Sequence, residues 1–209
     1  MPDFTYEEQA FLDGFTPVVG VDEAGRGSWA GPVVACAVIL DPKFSPTELI
    51  AGLDDSKRIS KKKRDKLNYL LTSSASIGVG VSSVEEIDRL NILQATFVAM
   101  KRSIENLGIS PGMILVDGNT LPDWPYNSRP IIKGDSRSLS IAAASIVAKV
   151  SRDRMMTNLA NNYPEYGWEK NAGYGTKLQQ QALSEHGFTK HHRLSFKPVL
   201  RFSGSRYRI

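Results

Sequence analysis

The sequence is short of several things that would place it in familiar classes. It has one cysteine, Cys36, so it can form no internal disulfide. Its longest apolar run, Val33 to Leu40, is a strand's length and far below the roughly 20 residues that cross a bilayer. The segment from Met1 to Phe15 carries Asp3, Glu7, Glu8 and Asp13 and no Lys or Arg, the wrong charge for a signal or transit peptide. These absences exclude a disulfide-stapled secreted domain and a spanning helix, and they point to a reducing cytoplasm. Internal repeats, low-complexity tracts and Gly/Ser linkers are missing too. With 209 residues the chain suffices for one hydrophobic core and is too short for two comfortable domains.

Acid is absent from the end of the chain. Residues 186–209 hold Lys190, Arg193, Lys197, Arg201, Arg206 and Arg208 and no Asp or Glu, whereas residues 1–185 hold 20 basic and 22 acidic side chains. A second basic cluster, Lys57 to Lys66, packs seven basic residues and one acid into ten. Two basic patches on a nearly neutral body suit a polyanion partner, although a solvated lysine face beside a loose tail accounts for the same charges.

What is present reads as alternating strands and helices. Val18 to Val21 and Ile77 to Val81 have the composition of strands, and the glycines Gly78 and Gly80 imply a backbone packed close by. Val33 to Leu40 is β-branched and apolar throughout, as a strand buried on both faces requires. Met113 to Val116 and Pro130 to Ile132 complete the strand set. Ser83 with Glu86 fits a capping box, and the stripe Ile87, Leu90, Leu93, Phe97, Met100, Ile104, Leu107 predicts one helix ending at Gly108. Ile141 to Val150 is an alanine-rich helix, and Thr176 with Gln179 fits a second capping box. The fold class is α/β, an internal sheet covered by helices.

Three acidic positions follow apolar strands: Asp22 with Glu23, Asp117, and Asp135. Strand ends are rigid, and side chains there converge on loop-formed clefts. Carboxylates gathered in one cleft repel unless a cation neutralises them. Such a set suits a hard divalent ion that activates water and stabilises a leaving oxygen. Helix caps, turns and ion pairs are the plainer reading of the same acids. Neighbours on a regular strand face opposite ways, so Asp22 and Glu23 share a side only if the backbone turns there, and Gly25 and Gly27 supply the means. Gly25-Arg26-Gly27 brings backbone groups and a guanidinium close to a ligand, where a 2′-hydroxyl, both donor and acceptor, can be read; an ordinary tight turn has the same composition.

These residues carry a resemblance. Asp22-Glu23-Ala24-Gly25-Arg26-Gly27 with Gly31-Pro32 resembles the signature of ribonuclease HII, the type 2 ribonuclease H family. Asp55-Ser56-Lys57, Ile87-Asp88 with Asn91-Ile92, Val116-Asp117-Gly118-Asn119, Lys133-Gly134-Asp135-Ser136, Ala143-Ala144-Ser145-Ile146, Arg152-Asp153, Gly173-Tyr174-Gly175-Thr176 and His192-Arg193 with Ser195-Phe196 follow in family order. The resemblance implies a ribonuclease H-like fold with a central mixed sheet flanked by helices and a C-terminal helical extension. It implies one domain over residues 1–209, with a catalytic core at 16–160, a substrate-contacting extension at 161–200 and a flexible tail at 201–209. It implies an endoribonuclease that hydrolyses the RNA strand of RNA–DNA hybrids and cuts 5′ of single ribonucleotides embedded in duplex DNA. The products carry 3′-hydroxyl and 5′-phosphate ends. The metal is Mn²⁺ or Mg²⁺, held by Asp22, Glu23, Asp117 and Asp135. Gly25, Arg26 and Gly27 read the 2′-hydroxyl, Tyr174 stands beside the RNA–DNA junction, and Lys57 contacts phosphate. The chain is expected to act as a cytoplasmic monomer on RNA–DNA hybrid or ribonucleotide-containing duplex DNA, away from membranes.

Two departures from the family pattern, Ala172 where a lysine is usual before the glycine and Gln179 where histidine is frequent, leave the acids untouched. Lys149 and Arg152, on the alanine-rich helix, are expected to form salt bridges. His186, His191 and His192 lie close in sequence but lack cysteine partners and zinc spacing. Another nuclease of the same fold, of the resolvase or strand-transfer type, and a non-catalytic hybrid-binding module stay open as alternatives. The sibling type 3 group is less favoured, because about 17 residues precede the first strand and that group carries an extra N-terminal domain.

Overall fold

The computed structural model describes residues 1–202. In chain order the elements are α1 (Thr5–Leu12), β1 (Val18–Ala24), β2 (Val33–Ile39), α2 (Thr47–Gly52), α3 (Lys61–Ser74), β3 (Ser76–Ser82), α4 (Val84–Leu90), α5 (Ile92–Leu107), β4 (Met113–Asp117), β5 (Ser128–Ile131), α6 (Leu139–Ala160), α7 (Trp168–Asn171), α8 (Lys177–His186) and α9 (Lys197–Leu200). The five strands form one mixed sheet in the order β3-β2-β1-β4-β5, flanked by helices as expected. β1 runs antiparallel to β2 and parallel to β4, and β4 runs parallel to β5. No helix among the described residues is long and apolar enough to cross a membrane.

The chain divides into two compact units. One comprises Met1–Ala24, Val34–Val81 and Phe97–Val150; the other comprises Gly25–Val33, Ser82–Thr96 and the chain from Ser151 onward. The first holds nearly all of the sheet. β2 is buried at every residue but the last, Ile39, which is why it reads as unbroken apolar sequence. Its Cys36 and Val38 pack with Leu49, Leu67 and Leu71 from α2 and α3 and with Ala142, Ala143 and Ile146 from α6. The alanines let that helix lie close to the sheet. Gly78 and Gly80 do the same for α5: a Cβ at either would strike the main chain at Ser103 or Ala99. The second unit has its own core, in which Met156, Tyr166, Trp168, Ala182 and Leu183 surround Ala30. Phe202 packs on that core, and residues 203–209 of the expected tail lie outside the described residues.

One expected helix is two. Asn91 takes φ 72°, which ends α4, and its Oδ1 accepts from the N–H groups of Leu93 (3.0 Å) and Gln94 (3.2 Å), which starts α5. The apolar stripe runs across the break, so periodicity alone does not reveal it. The capping box at Ser83 and Glu86 is present in both directions. The one at Thr176 is half present. The Thr176 hydroxyl accepts from the Gln179 N–H, but the Gln179 side chain turns inward instead.

Candidate active site

Parallel strands bring their carboxyl ends together. β1, β4 and β5 lie side by side with Val21 beside Val116 and Asp117 beside Ile131. Asp22 and Glu23 are in the last three residues of β1, Asp117 is the last residue of β4, and Asp135 lies in a 3₁₀ turn, Gly134–Ser136, just beyond β5. Open α/β sheets place ligands at this edge. The Asp117 Oδ1 accepts from the Gly134 N–H at 2.6 Å, so one carboxylate fixes the turn that carries another. β1 keeps its register with β2 through Glu23 and Ala24, so the expected backbone turn comes after both acids, at Gly25.

Asp22 is 5% exposed, and its Oδ1 accepts from the Glu23 N–H at 2.7 Å. Burial, then repulsion from Glu23 and Asp117, pushes its carboxyl well above the ordinary carboxylate range. The Ser145 hydroxyl, on α6, hydrogen-bonds Asp22 and pulls the other way. Ser145 Oγ lies 2.8 Å from Ser56 Oγ, and both serines are buried. The middle residue of Asp55-Ser56-Lys57 thus reaches Asp22 through one hydroxyl. Its neighbours act on Asp135: burial pushes that carboxyl up, then Asp117 and Asp55 add to it, while Lys57 pulls it down. Arg64 steadies the segment by donating to the carbonyls of Ser56 (2.6 Å) and Ile59 (3.0 Å). Cys36 pairs with Asp22 in the sheet register; burial and then that carboxylate push its thiol up and keep it protonated.

The four acids are thus linked as a chain of repelling neighbours: Glu23 with Asp22, Asp22 with Asp117, Asp117 with Asp135. Among the described residues, no three or more His, Cys, Asp or Glu side chains are grouped so that together they could hold a metal ion. The donor set is oxygen only and half-buried to buried. That fits a hard divalent cation, since Mg²⁺ takes one or two protein carboxylates, keeps several waters and needs no closed cage.

The second unit holds the remaining expected site residues, Gly25, Arg26, Gly27 and Tyr174. Gly25 has φ +97°, and a Cβ there would strike the Arg152 guanidinium, so glycine is required twice over. Arg26 and Gly27 are exposed, and Tyr174 is 39% exposed. A Cβ on Gly27 would lie 3.8 Å from the Tyr174 ring. The segment around Tyr174 binds the glycine loop through main chain: the Gly173 carbonyl accepts from the N–H groups of Trp29 (2.7 Å) and Ala30 (3.2 Å).

Sequence reasoning missed what holds this loop. Among the described residues Arg152 forms no salt bridge, contrary to expectation. It is 1% exposed and donates to three main-chain carbonyls, of Pro32 (2.9 Å), Ala172 (2.8 Å) and Ala30 (3.0 Å). Arg193, counted in the basic tail, is fully buried and donates to the carbonyls of Gly31 (2.8 Å), Arg26 (3.0 Å) and Pro32 (3.1 Å). Burial and then Arg152 lower its affinity for its proton. Gln179 is buried, accepts from the Trp168 indole N–H at 2.5 Å and donates to the Gly173 carbonyl at 2.8 Å. Asp88 accepts from the Leu194 N–H, the Ser195 N–H and the Ser195 hydroxyl, which joins two motifs whose meeting the sequence does not announce. The only sequence signals for these roles are a lone serine in an alanine run, for Ser145, and arginines with no acid spaced to pair with them.

The histidines have structural places. His192 Nδ1 accepts from the Thr189 N–H at 3.0 Å, and burial pushes its pKa down to about 3. His191 meets Tyr163 edge-on, and His186 lies 3.8 Å from the Glu185 carboxylate.

Comparison with known proteins gives one answer. A family model described as Ribonuclease HII matches residues 19–199. A Ribonuclease HII of Paramagnetospirillum magneticum is 54% identical over 97% of this chain and 98% of its own. One of Sphingopyxis alaskensis is 54% identical over 87% of this chain and 89% of its own. Among solved structures, the ribonuclease H2 of Pyrococcus horikoshii OT3 superposes with TM-score 0.70 at 27% identity, covering 90% of this chain and 97% of its own. Bst-RNase HIII in complex with Mn²⁺ shares the fold, with TM-score 0.73 at 18% identity over 90% of this chain and 69% of its own. The chain belongs to the ribonuclease HII family of hydrolytic ribonucleases.

Proposed function

We propose that the protein hydrolyses the RNA strand of RNA–DNA hybrids and cuts 5′ of single ribonucleotides in duplex DNA, leaving 3′-hydroxyl and 5′-phosphate ends. The observation that carries this is the line of mutually repelling carboxylates at three parallel strand ends. Asp22, Glu23, Asp117 and Asp135 would hold Mn²⁺ or Mg²⁺. When bound, such an ion supplies activation of water and stabilisation of the leaving oxygen. The rest falls to the chain. Asp117 fixes the Asp135 turn through Gly134 N–H, and the two serines fix Asp22. Lys57 is exposed and acts on Asp135 electrostatically, which suits a phosphate contact made beside the acids. Gly25, Arg26 and Gly27 present main-chain groups and a guanidinium to the sugar and phosphate, and Tyr174 offers an exposed ring face for the sugar at the RNA–DNA junction. The 2′-hydroxyl is read and is not the nucleophile, because the product keeps a 5′-phosphate. A free, buried Cys36 agrees with work as a monomer in a reducing cytoplasm.

One assay tests the whole reading: a DNA duplex with one embedded ribonucleotide, in Mn²⁺, in Mg²⁺ and in chelator. Cleavage on the 5′ side of the ribonucleotide with either metal, and none in chelator, is expected. Cleavage of the all-DNA duplex points instead to a resolvase-type nuclease, and binding with no turnover points to a non-catalytic module.

A further inference from the structure

Two short segments are proposed above to read the ribonucleotide, the glycine loop Gly25–Gly27 and the Gly173–Gly175 loop that carries Tyr174. Neither has regular secondary structure to hold it. Their geometry is set from behind, by two side chains that the substrate cannot reach.

Arg152 is the first. A guanidinium has five N–H donors in a fixed planar fork. Here Nε and Nη2 donate to the carbonyls of Pro32 and Ala30, on the strand-ward side of the glycine loop, and Nη1 donates to the carbonyl of Ala172, the residue before Gly173. The same group fills the space where Gly25 would carry a Cβ. Its central carbon lies 5.9 Å from the centre of the Tyr174 ring. One planar cation thus reaches both loops and the aromatic residue that the second one carries.

Gln179 is the second. Its amide donates to the Gly173 carbonyl, and its oxygen is held by the buried Trp168 indole. Ala172 sits between these two supports at φ 47°, a left-handed conformation that costs an alanine about 1 kcal/mol or more and persists only where its surroundings over-determine it. The flanking hydrogen bonds to its carbonyl and to that of Gly173 supply that constraint.

We propose that Arg152, with Gln179 behind it, is a positioning pair that locks the two loops into one rigid reader, and so sets selectivity for the 2′-hydroxyl and not the rate of hydrolysis. Both side chains are buried, so neither contacts substrate, and neither lies among the carboxylates. A reader of a single hydroxyl depends on sub-ångström placement of its donors and acceptors, because a lengthened hydrogen bond loses its discrimination. Lysine at position 152 would keep the charge and lose the fork. This inference rests on the proposed function.

The test is binding, measured in an Asp117→Asn background so that nothing is cleaved. Dissociation constants are compared for a DNA duplex with one ribonucleotide and for the same duplex without it, and their ratio isolates the hydroxyl. Arg152→Lys is expected to lower that ratio about tenfold while affinity for the all-DNA duplex stays within about twofold. Gln179→Ala releases the second loop alone and is expected to lower the ratio by a smaller factor. It also serves if Arg152→Lys does not fold. A parent protein with no ribonucleotide preference overturns the proposed function and this inference with it. A parent preference that survives in both variants, or a loss of affinity equal for the two duplexes, overturns the inference alone.

Discussion

Each of the two units buries charge of one sign, and they solve the cost differently. In the first, Asp22 and its neighbours repel one another, and the serine hydroxyl and backbone N–H that help Asp22 do not bring its carboxyl back to the ordinary range. In the second, Arg152 and Arg193 also repel, yet every hydrogen bond each makes ends on a main-chain carbonyl of the same unit. Carbonyl dipoles are part of the fold and are present at all times. Among the carboxylates, Lys57 pulls Asp135 down, yet burial and the neighbouring acids still leave that group raised. The difference is what would separate a site from a scaffold: under the proposed function the negative cluster is completed by a bound cation, whereas the positive one is completed by the fold itself.

The largest expected effect comes from neutralising the centre of the acidic chain. Asp117→Asn should abolish cleavage of hybrid and of ribonucleotide-containing duplex, with substrate affinity retained. Because the same change removes repulsion from both Asp22 and Asp135, it should raise the melting temperature of the protein in chelator. Inactivity together with lowered metal-free stability would mean that the acids are paired within the fold, and the contrast with the arginines would collapse.

The matching change on the positive side should have the opposite sign. Arg193→Met keeps the aliphatic stem and takes the guanidinium donor from the carbonyls of Gly31 and Arg26, while Pro32 keeps its hydrogen bond from Arg152. It should cost roughly 2–4 kcal/mol in urea unfolding, even though it relieves repulsion with Arg152. A neutral or stabilising result would show that repulsion, and not carbonyl bonding, dominates there.

His192 tests the second unit by pH. An unfolded histidine takes up its proton near 6.5, whereas in the fold His192 does so only at about 3. Between those values the unfolded chain binds more protons. Stability should therefore fall as pH drops below about 6.5, by up to about 1.4 kcal/mol per pH unit from this group. Comparing urea midpoints near neutrality and two units lower, His192→Gln should show a smaller pH difference than the wild type. An equal difference would place the acid sensitivity elsewhere.

How far the sequence foretold this contrast differs between the two sites. The acids are legible because each follows an apolar run, and the parallel order of β1, β4 and β5 turns that local pattern into proximity. The sheet strands are legible for the same reason. The scaffold is not, because its contacts join residues more than a hundred positions apart: Arg152 to Pro32, Arg193 to Gly31, Leu194 to Asp88. An arginine that ends on carbonyls has no partner residue type to look for, so Arg152 reads as an ion pair and Arg193 as part of a basic tail. Asn91 hides for a different reason. The hydrophobic stripe continues across the break, and only the positive φ and the side-chain cap separate α4 from α5. Gln179 satisfies a local capping pattern in sequence and spends its side chain on Trp168 and Gly173 in the fold.

The smallest effect is expected at the hydroxyl contact of the acidic site. Ser56 and Ser145 form a buried hydroxyl pair ending on Asp22. If Ser145 donates to the carboxylate, Ser56 must donate to Ser145, and the proton order of the chain is fixed. Removing the nearer hydroxyl takes the Ser145 hydrogen bond from Asp22 and leaves the one from the Glu23 N–H. Ser145→Ala should therefore weaken Mn²⁺ binding, measured by calorimetry, by about tenfold, as the loss of a supporting shell around a metal ligand does. Ser56→Ala should reproduce part of this loss, because Ser145 then keeps a choice of acceptor. The double variant should be no worse than Ser145→Ala alone, since the farther hydroxyl acts only through the nearer one. Additive losses would show instead that Ser56 reaches the metal site by a separate route, through the Asp55 and Lys57 that flank it.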